Sequence, residues 1–174
     1  LSSPMKLRVA VRVRPPRPGE TSQCACDERI GTLVSVSMPQ PADHEFGMVL
    51  GPACSQGDVF ATCGMPMLEA ALRGRDSLLF TYGANSSGKT FSMLGKDLER
   101  QLVHGIPISE TETDDWGVIP RAIVDLFACI NDDKELTSEK DAKDSLSGGA
   151  VVHCSYMQIY NNKLYDLLAD PTRS

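Results

Sequence analysis

The sequence predicts an α/β fold, a mostly parallel central sheet flanked by helices, and three observations carry that expectation. Residues 77–82 (SLLFTY) form an apolar run of the kind that fills a buried strand, followed at once by a glycine-rich turn and a segment able to start a helix. Residues 6–14 (KLRVAVRVR) alternate apolar and basic, the period of a half-buried strand. Further along, helix-spaced and β-branched stretches alternate, as strands and crossover helices do. In such a sheet a ligand sits at the carboxyl end of the strands, here beyond Tyr82.

The turn after Tyr82 satisfies G-x-x-x-x-G-K-[ST] with Gly83, Gly88, Lys89 and Thr90, and it stands between a strand signal and a helix start. Gly83 and Gly88 free the backbone for turns that a Cβ would obstruct, so that N–H groups along Ala84, Asn85, Ser86 and Ser87 can point at phosphate oxygens. Lys89 brings a compact positive charge to the outer phosphates. The Thr90 hydroxyl is placed to ligate Mg²⁺, a hard cation that prefers oxygen. With glycine near 7% of average usage, four fixed positions match by accident in a chain of this length less than about one time in a hundred. The ligand these residues fit is a nucleoside triphosphate with Mg²⁺.

The chain has 174 residues, 41% hydrophobic and 23% charged, which is one domain or part of one with enough chain to bury a core. No apolar run approaches the ~18 residues of a membrane span and no signal peptide opens the sequence, so a soluble, non-secreted protein is expected. Leu1 is no initiator, which points to a processed chain or an excerpt whose natural start is Met5. A net charge of −6 argues against a general nucleic-acid binder, which shows a basic face. Six cysteines, Cys24, Cys26, Cys54, Cys63, Cys129 and Cys154, lack zinc or disulfide spacing and are expected as reduced thiols.

Within residues 6–14, Leu7, Val9, Val11 and Val13 share one face while Lys6, Arg8, Arg12 and Arg14 share the other, and Pro15, Pro16 and Pro18 end the strand. The basic face has two readings, a solvated outer face or a surface toward an anionic ligand. Residues 19–57 suggest one or two short peripheral strands, at 30–38 and 46–50. From Ser55 or Gln56 a helix carries Val59, Phe60, Met67, Leu68, Ala71 and Leu72, with Pro66 expected to kink or restart it and Gly74 to close it. The helix opened at Lys89 is cut short by Gly95. Glu110, Glu112, Asp114 and Asp115 then read as a solvated acidic loop without a positive partner nearby. GVIPRAIVDLFACI predicts a helix with Pro120 in its first turn and a stripe of Ile119, Ile123, Leu126, Phe127 and Ile130, leaving Asp125 on the polar side in a structural role. Residues 131–149 read as a mobile surface loop, 150–161 as a strand, and KLYDLLADP as a short element stopped by Pro171.

Taken together, RVRP, FTYGANSSGKTFSMLG, GVIPRAIVDLF and SYMQIYNNKLYDLL, in this order, resemble the first half of a kinesin motor domain, a P-loop NTPase. The resemblance covers roughly residues 6–169, and it implies that 6–174 are the N-terminal part of the motor domain, with residues 1–5 left as a disordered leader. It implies ATP bound with Mg²⁺, phosphate contacts along Gly83, Ala84, Asn85, Ser86, Ser87, Gly88, Lys89 and Thr90, and an adenine site lined by Arg12, Arg14, Pro15 and Phe91. That site favours the ligand-facing reading of the basic face. The implied activity of the complete protein is microtubule-stimulated ATP hydrolysis coupled to movement, with microtubules as partner, no nucleic acid, no membrane span and a cytoplasmic, cytoskeletal location.

Two departures are local: Ala84-Asn85 stand where Gln-Thr is common, and Asn162 replaces a frequent Glu, which questions a surface contact there. A third is larger, since no apolar run ends in D-x-x-G and no serine- and arginine-rich switch sequence occurs. No catalytic residue beyond Lys89 and Thr90 is expected here, and the segment alone is expected to be inactive. Two other classes stay open, a nucleotide-binding interaction module without motility and another P-loop NTPase such as a small-molecule kinase, which would need a basic lid downstream.

Overall fold

The computed structural model describes residues 7–22, 24–27, 32–35, 42–96, 113–136 and 151–169, and the chain divides into two compact units, Leu1–Phe127 and Ala128–Ser174. The expected leader at 1–5 lies outside the described residues. In the first unit, β1 (Ala10–Arg12) is the laddered part of the alternating stretch, shorter than the nine residues of the motif. It pairs in parallel with β5 (Met48–Leu50), Val11 opposite Val49, and the Val13 N–H adds a bond to the Leu50 carbonyl at 2.8 Å before the prolines stop the ladder. The 46–50 piece, expected to be peripheral, is thus β1's own partner, and Val49 is buried. Between them β2 (Cys24–Asp27), β3 (Thr32–Ser35) and β4 (Ala42–Glu45) form a separate antiparallel sheet in the order β2-β3-β4. β2 and β4 were hidden because neither alternates apolar and polar residues clearly.

Ser55 opens the helical stretch with a capping box: its hydroxyl accepts the Asp58 N–H at 3.1 Å while the Asp58 carboxylate accepts the Ser55 N–H at 2.9 Å. α1 (Gln56–Val59) widens into a π-helical turn (Phe60–Gly64) and resumes as α2 (Met65–Leu72). Pro66, which has no N–H to give to the preceding turn, stands at this restart as expected. α2 ends with Gly74 at φ +71°, its N–H on Ala71 and the Arg75 N–H on Ala70, a paired C-terminal closure.

Val59 and Phe60 pack on Val118, the first residue of α4 (Val118–Leu136), with Leu50, Cys54, Met65, Leu79 and Ala122 around them. Each such burial contributes about 1.5–3 kcal/mol. α4 therefore turns Val118 and Ala122 inward. Ile119, Ile123 and Phe127 of the expected stripe are exposed, because the core meets the neighbouring face of the helix. α4 also runs to Leu136, past the start of the loop expected at 131, and residues 137–150 lie outside the described ones.

The buried strand expected at 77–82 is not one here. Leu79 touches the core, but Leu78, Phe80 and Tyr82 are 85%, 68% and 96% exposed, and no ladder joins this segment to another strand among the described residues. An apolar run buried on both faces needs neighbours at both edges and cover above and below, and these residues have one such face.

In the second unit, β6 (Met157–Tyr160) and β7 (Lys163–Asp166) form an antiparallel hairpin with Ile159 opposite Leu164. Its turn is Asn161-Asn162, with φ of 48° and 59°, the left-handed pair that a two-residue hairpin turn demands. Asn162 thus answers a backbone requirement. The wider strand expected at 150–161 is laddered only over β6, with the Tyr156 carbonyl just before it accepting the Leu167 N–H at 2.8 Å.

Candidate functional site

The glycine-rich turn leads into α3 (Lys89–Met93) through Gly88 at φ +99°, a conformation in which an L side chain is strained. At the other end of the loop, a Cβ on Gly83 would fall 2.7 Å from Ser87 Oγ. The loop closes on itself through the Ser87 N–H to the Ala84 carbonyl at 3.3 Å. Lys89 folds back over it, its Nζ donating to the Gly83 carbonyl at 2.9 Å and the Ala84 carbonyl at 2.8 Å. An ammonium has three donors, so one remains for an outside acceptor. The first-turn N–H groups of α3 have no earlier helical turn to bond. Lys89 and these amide groups together put positive charge and hydrogen-bond donors at the loop, which suits an anion.

Ala84, Asn85, Ser86, Ser87 and Thr90 are exposed, and the Thr90 hydroxyl makes no hydrogen bond among the described residues. No group of three His, Cys, Asp or Glu side chains among the described residues could hold a metal by itself. An exposed hydroxyl next to Lys89 fits a hard cation that prefers oxygen. The six cysteines form no disulfide, and burial raises the pKa of the Cys63 thiol, an effect the charge of Arg8 opposes.

The residues of the expected base site divide. Arg12 and Phe91 meet: the guanidinium lies 5.1 Å from the ring centroid, and the ring is 40% exposed. Arg12 is further held by Gln56 Oε1 at 2.8 Å, Ser92 Oγ at 2.9 Å and the Cys54 carbonyl at 3.5 Å. Burial lowers its pKa from the usual arginine range, the charge on Cys54 working the other way. Arg14 is committed elsewhere, to the Glu20 carboxylate at 2.8 and 3.0 Å and the Pro15 carbonyl at 3.1 Å, and Pro15 is exposed. The basic face of the first strand is thus neither uniformly solvated nor uniformly turned to one place.

Gln56 and Ser92 are the residues that sequence reasoning passed over. Gln56 read as no more than a helix start, yet it is the buried polar side chain among the described residues, at 4% exposure. The signal available was weak: a long polar side chain at the first position of a helix whose next turn is apolar.

The acidic stretch also reads differently in space. Asp115 pairs with Lys96 at 3.6 Å, and Arg121 donates to the Asp114 carbonyl at 3.1 Å, so a positive partner is nearby after all. Glu110 and Glu112 lie outside the described residues. The base of this excursion is a clasp: the Lys96 N–H bonds the Asp115 carbonyl and the Gly117 N–H the Leu94 carbonyl, both at 3.1 Å, with Gly95 opposite Trp116. A Cβ on Gly95 would collide with the Asp115 carbonyl, and one on Gly117 would stand 2.6 Å from the Met93 carbonyl oxygen. Only glycines let these backbones pass so closely.

The family description "Kinesin motor domain" matches residues 12–174. The human protein named "Kinesin-like protein KIF15" is 32% identical over 168 residues, covering 93% of this chain and 11% of that protein. The rice (Oryza sativa subsp. japonica) protein named "Kinesin-like protein KIN-12B" is 33% identical over 180 residues, covering 96% of this chain and 14% of that one. A structure of Drosophila NOD docked with bovine tubulin into a map of nucleotide-free NOD complexed to the microtubule is similar in fold, with a TM-score of 0.67 at 22% identity over 97% of this chain and 50% of its own. The chain therefore spans a small part of the curated relatives' length and half of the structural one.

Proposed function

Because this chain belongs to the kinesin motor-domain family, we propose that it supplies the ATP-binding half of a microtubule motor in which ATP hydrolysis is coupled to movement. Residues 6–174 are the N-terminal part of that motor domain in this reading, which acts in the cytoplasm on the microtubule cytoskeleton. The observation that carries it is Lys89 laid across the Gly83 and Ala84 carbonyls with one donor to spare, at the mouth of a loop whose turns are set by its glycines.

In this reading the backbone from Gly83 to Gly88 binds the phosphates and orients them, while Lys89 gives its remaining N–H to an outer phosphate oxygen. Thr90 would hold Mg²⁺ with its hydroxyl. When bound, Mg²⁺ supplies charge neutralisation between phosphate oxygens. Phe91 offers the base its exposed ring, with Arg12 against the ring and keeping it in place; such stacking is worth about 1 kcal/mol. Arg14 reaches the base edge only by leaving Glu20.

Calorimetric titration with ATP, with and without Mg²⁺, tests this. Lys89→Ala is expected to weaken ATP by about tenfold to a hundredfold, the loss of a charged hydrogen bond. Thr90→Asn is expected to remove the advantage that Mg²⁺ gives. If both variants bind MgATP as the unaltered chain does, the phosphate site is wrong.

A further inference from the structure

The Gln56 carboxamide has only one orientation compatible with its neighbours. Arg12 can only donate, so Oε1 faces its Nη1 at 2.8 Å; the Phe91 and Asp115 carbonyls can only accept, so Nε2 faces them at 2.7 and 3.5 Å. One side chain thereby grips β1, the backbone just beyond Lys89 and Thr90, and the clasp at the base of the 96–116 excursion. Its own backbone is fixed by the Ser55 and Asp58 capping box, and Arg12 adds a second grip on α3 through Ser92.

We infer that Gln56 is a positioning residue that couples the nucleotide base site to the clasp at Asp115 and Trp116. The inference rests on Phe91 as the base-stacking residue. A base pressed on the Phe91 ring displaces that residue's carbonyl, and the buried Gln56 amide, bonded to both carbonyls, passes the displacement to the Asp115 carbonyl. Asp115 adjoins Trp116, the single tryptophan of the chain and 7% exposed, which makes the indole a built-in reporter. The phosphate contacts assigned to Gly83–Thr90 stop one residue short of Phe91 and leave its ring untouched, so a ligand without a base is expected to leave the reporter unmoved.

The experiment titrates the full chain with MgATP and with inorganic tripolyphosphate plus Mg²⁺, following heat and Trp116 emission together. In the unaltered chain ATP is expected to change the emission and tripolyphosphate is not. Gln56→Leu is expected to abolish the emission response and weaken ATP by about fivefold to tenfold, the loss of a buried hydrogen bond, while tripolyphosphate binds as before. Gln56→Glu keeps the size and the Arg12 partner but sets an acceptor against two carbonyls. It is expected to lose the response as well, and it decides the matter if the leucine variant does not fold. An emission response retained in the glutamate variant, no ATP response in the unaltered chain, or equal losses of ATP and tripolyphosphate would each overturn the coupling while leaving the phosphate site standing. If the unaltered chain binds neither ligand, the phosphate site and the coupling fall together.

Discussion

Around Gln56 the hydrogen bonds join residues 35 to 80 positions apart, and the polar groups they satisfy are half-buried or buried. In the β6–β7 hairpin every partner lies across one two-residue turn, and both strands are exposed along their whole length. The first region closes long loops for its contacts, so its geometry exists only when distant segments have already met. The second needs little more than two asparagines that accept positive φ. A perturbation in the first should therefore reach the ligand, while one in the second should stay where it is made.

The largest expected effect breaks the first region at its clasp. Gly95→Val puts a Cβ into the Asp115 carbonyl at φ +103° and should destabilise the first unit by about 3 kcal/mol or more, read as an earlier urea midpoint of Trp116 emission. It should also lower ATP affinity, since Asp115 is a partner of Gln56. A midpoint like that of the unaltered chain would mean the clasp is not part of the cooperative unit. Asn162→Val sets the contrast. A β-branched residue at φ 59° costs about 1–2 kcal/mol, which should appear as faster amide exchange at Ile159 and Leu164 with ATP affinity unchanged. Were ATP binding to weaken equally, the two regions would not be independent.

Ser55→Ala is smaller and sharpens the comparison, because it removes a local device that anchors a long-range one. Losing this N-cap should cost about 1 kcal/mol, with a modest loss of ATP affinity through Gln56. The smallest effect is a pH dependence. The Ser55 hydroxyl and then its N–H hold the Asp58 carboxyl below its usual range. The resulting stabilisation is present above the ordinary aspartate pKa of about 3.9 and is lost as pH falls below it. Glu20, lowered by the Arg17 N–H and then by Arg14, works in the same direction, so Ser55→Ala is expected to remove only the part of the acid sensitivity that the Ser55 hydroxyl supplies, the backbone N–H to Asp58 remaining.

What could be read from the sequence was whatever contiguous residues decide. The phosphate-loop pattern, the helix beginning at Ser55, its restart at Pro66 and its stop at Gly74 each depend on a few neighbouring residues whose chemistry is visible in order. The α/β class and the kinesin family followed from several such pieces in sequence. The Asn161-Asn162 turn is equally local, an asparagine pair that accepts positive φ between two short strands.

The tertiary structure alone decided which separated pieces meet. Nothing in an alternating strand says that 48–50 will be its partner, that Arg12 will turn to Phe91 while Arg14 turns to Glu20, or that α4 will bury Val118 and Ala122 in place of its apolar stripe. Nor does an apolar run reveal that only Leu79 of 77–82 finds cover. Burial is a property of what surrounds a residue, and the surroundings are set by chain segments tens of residues away. Gln56 shows this most clearly, since its role is defined by Arg12, Phe91 and Asp115, none of which is its neighbour in sequence.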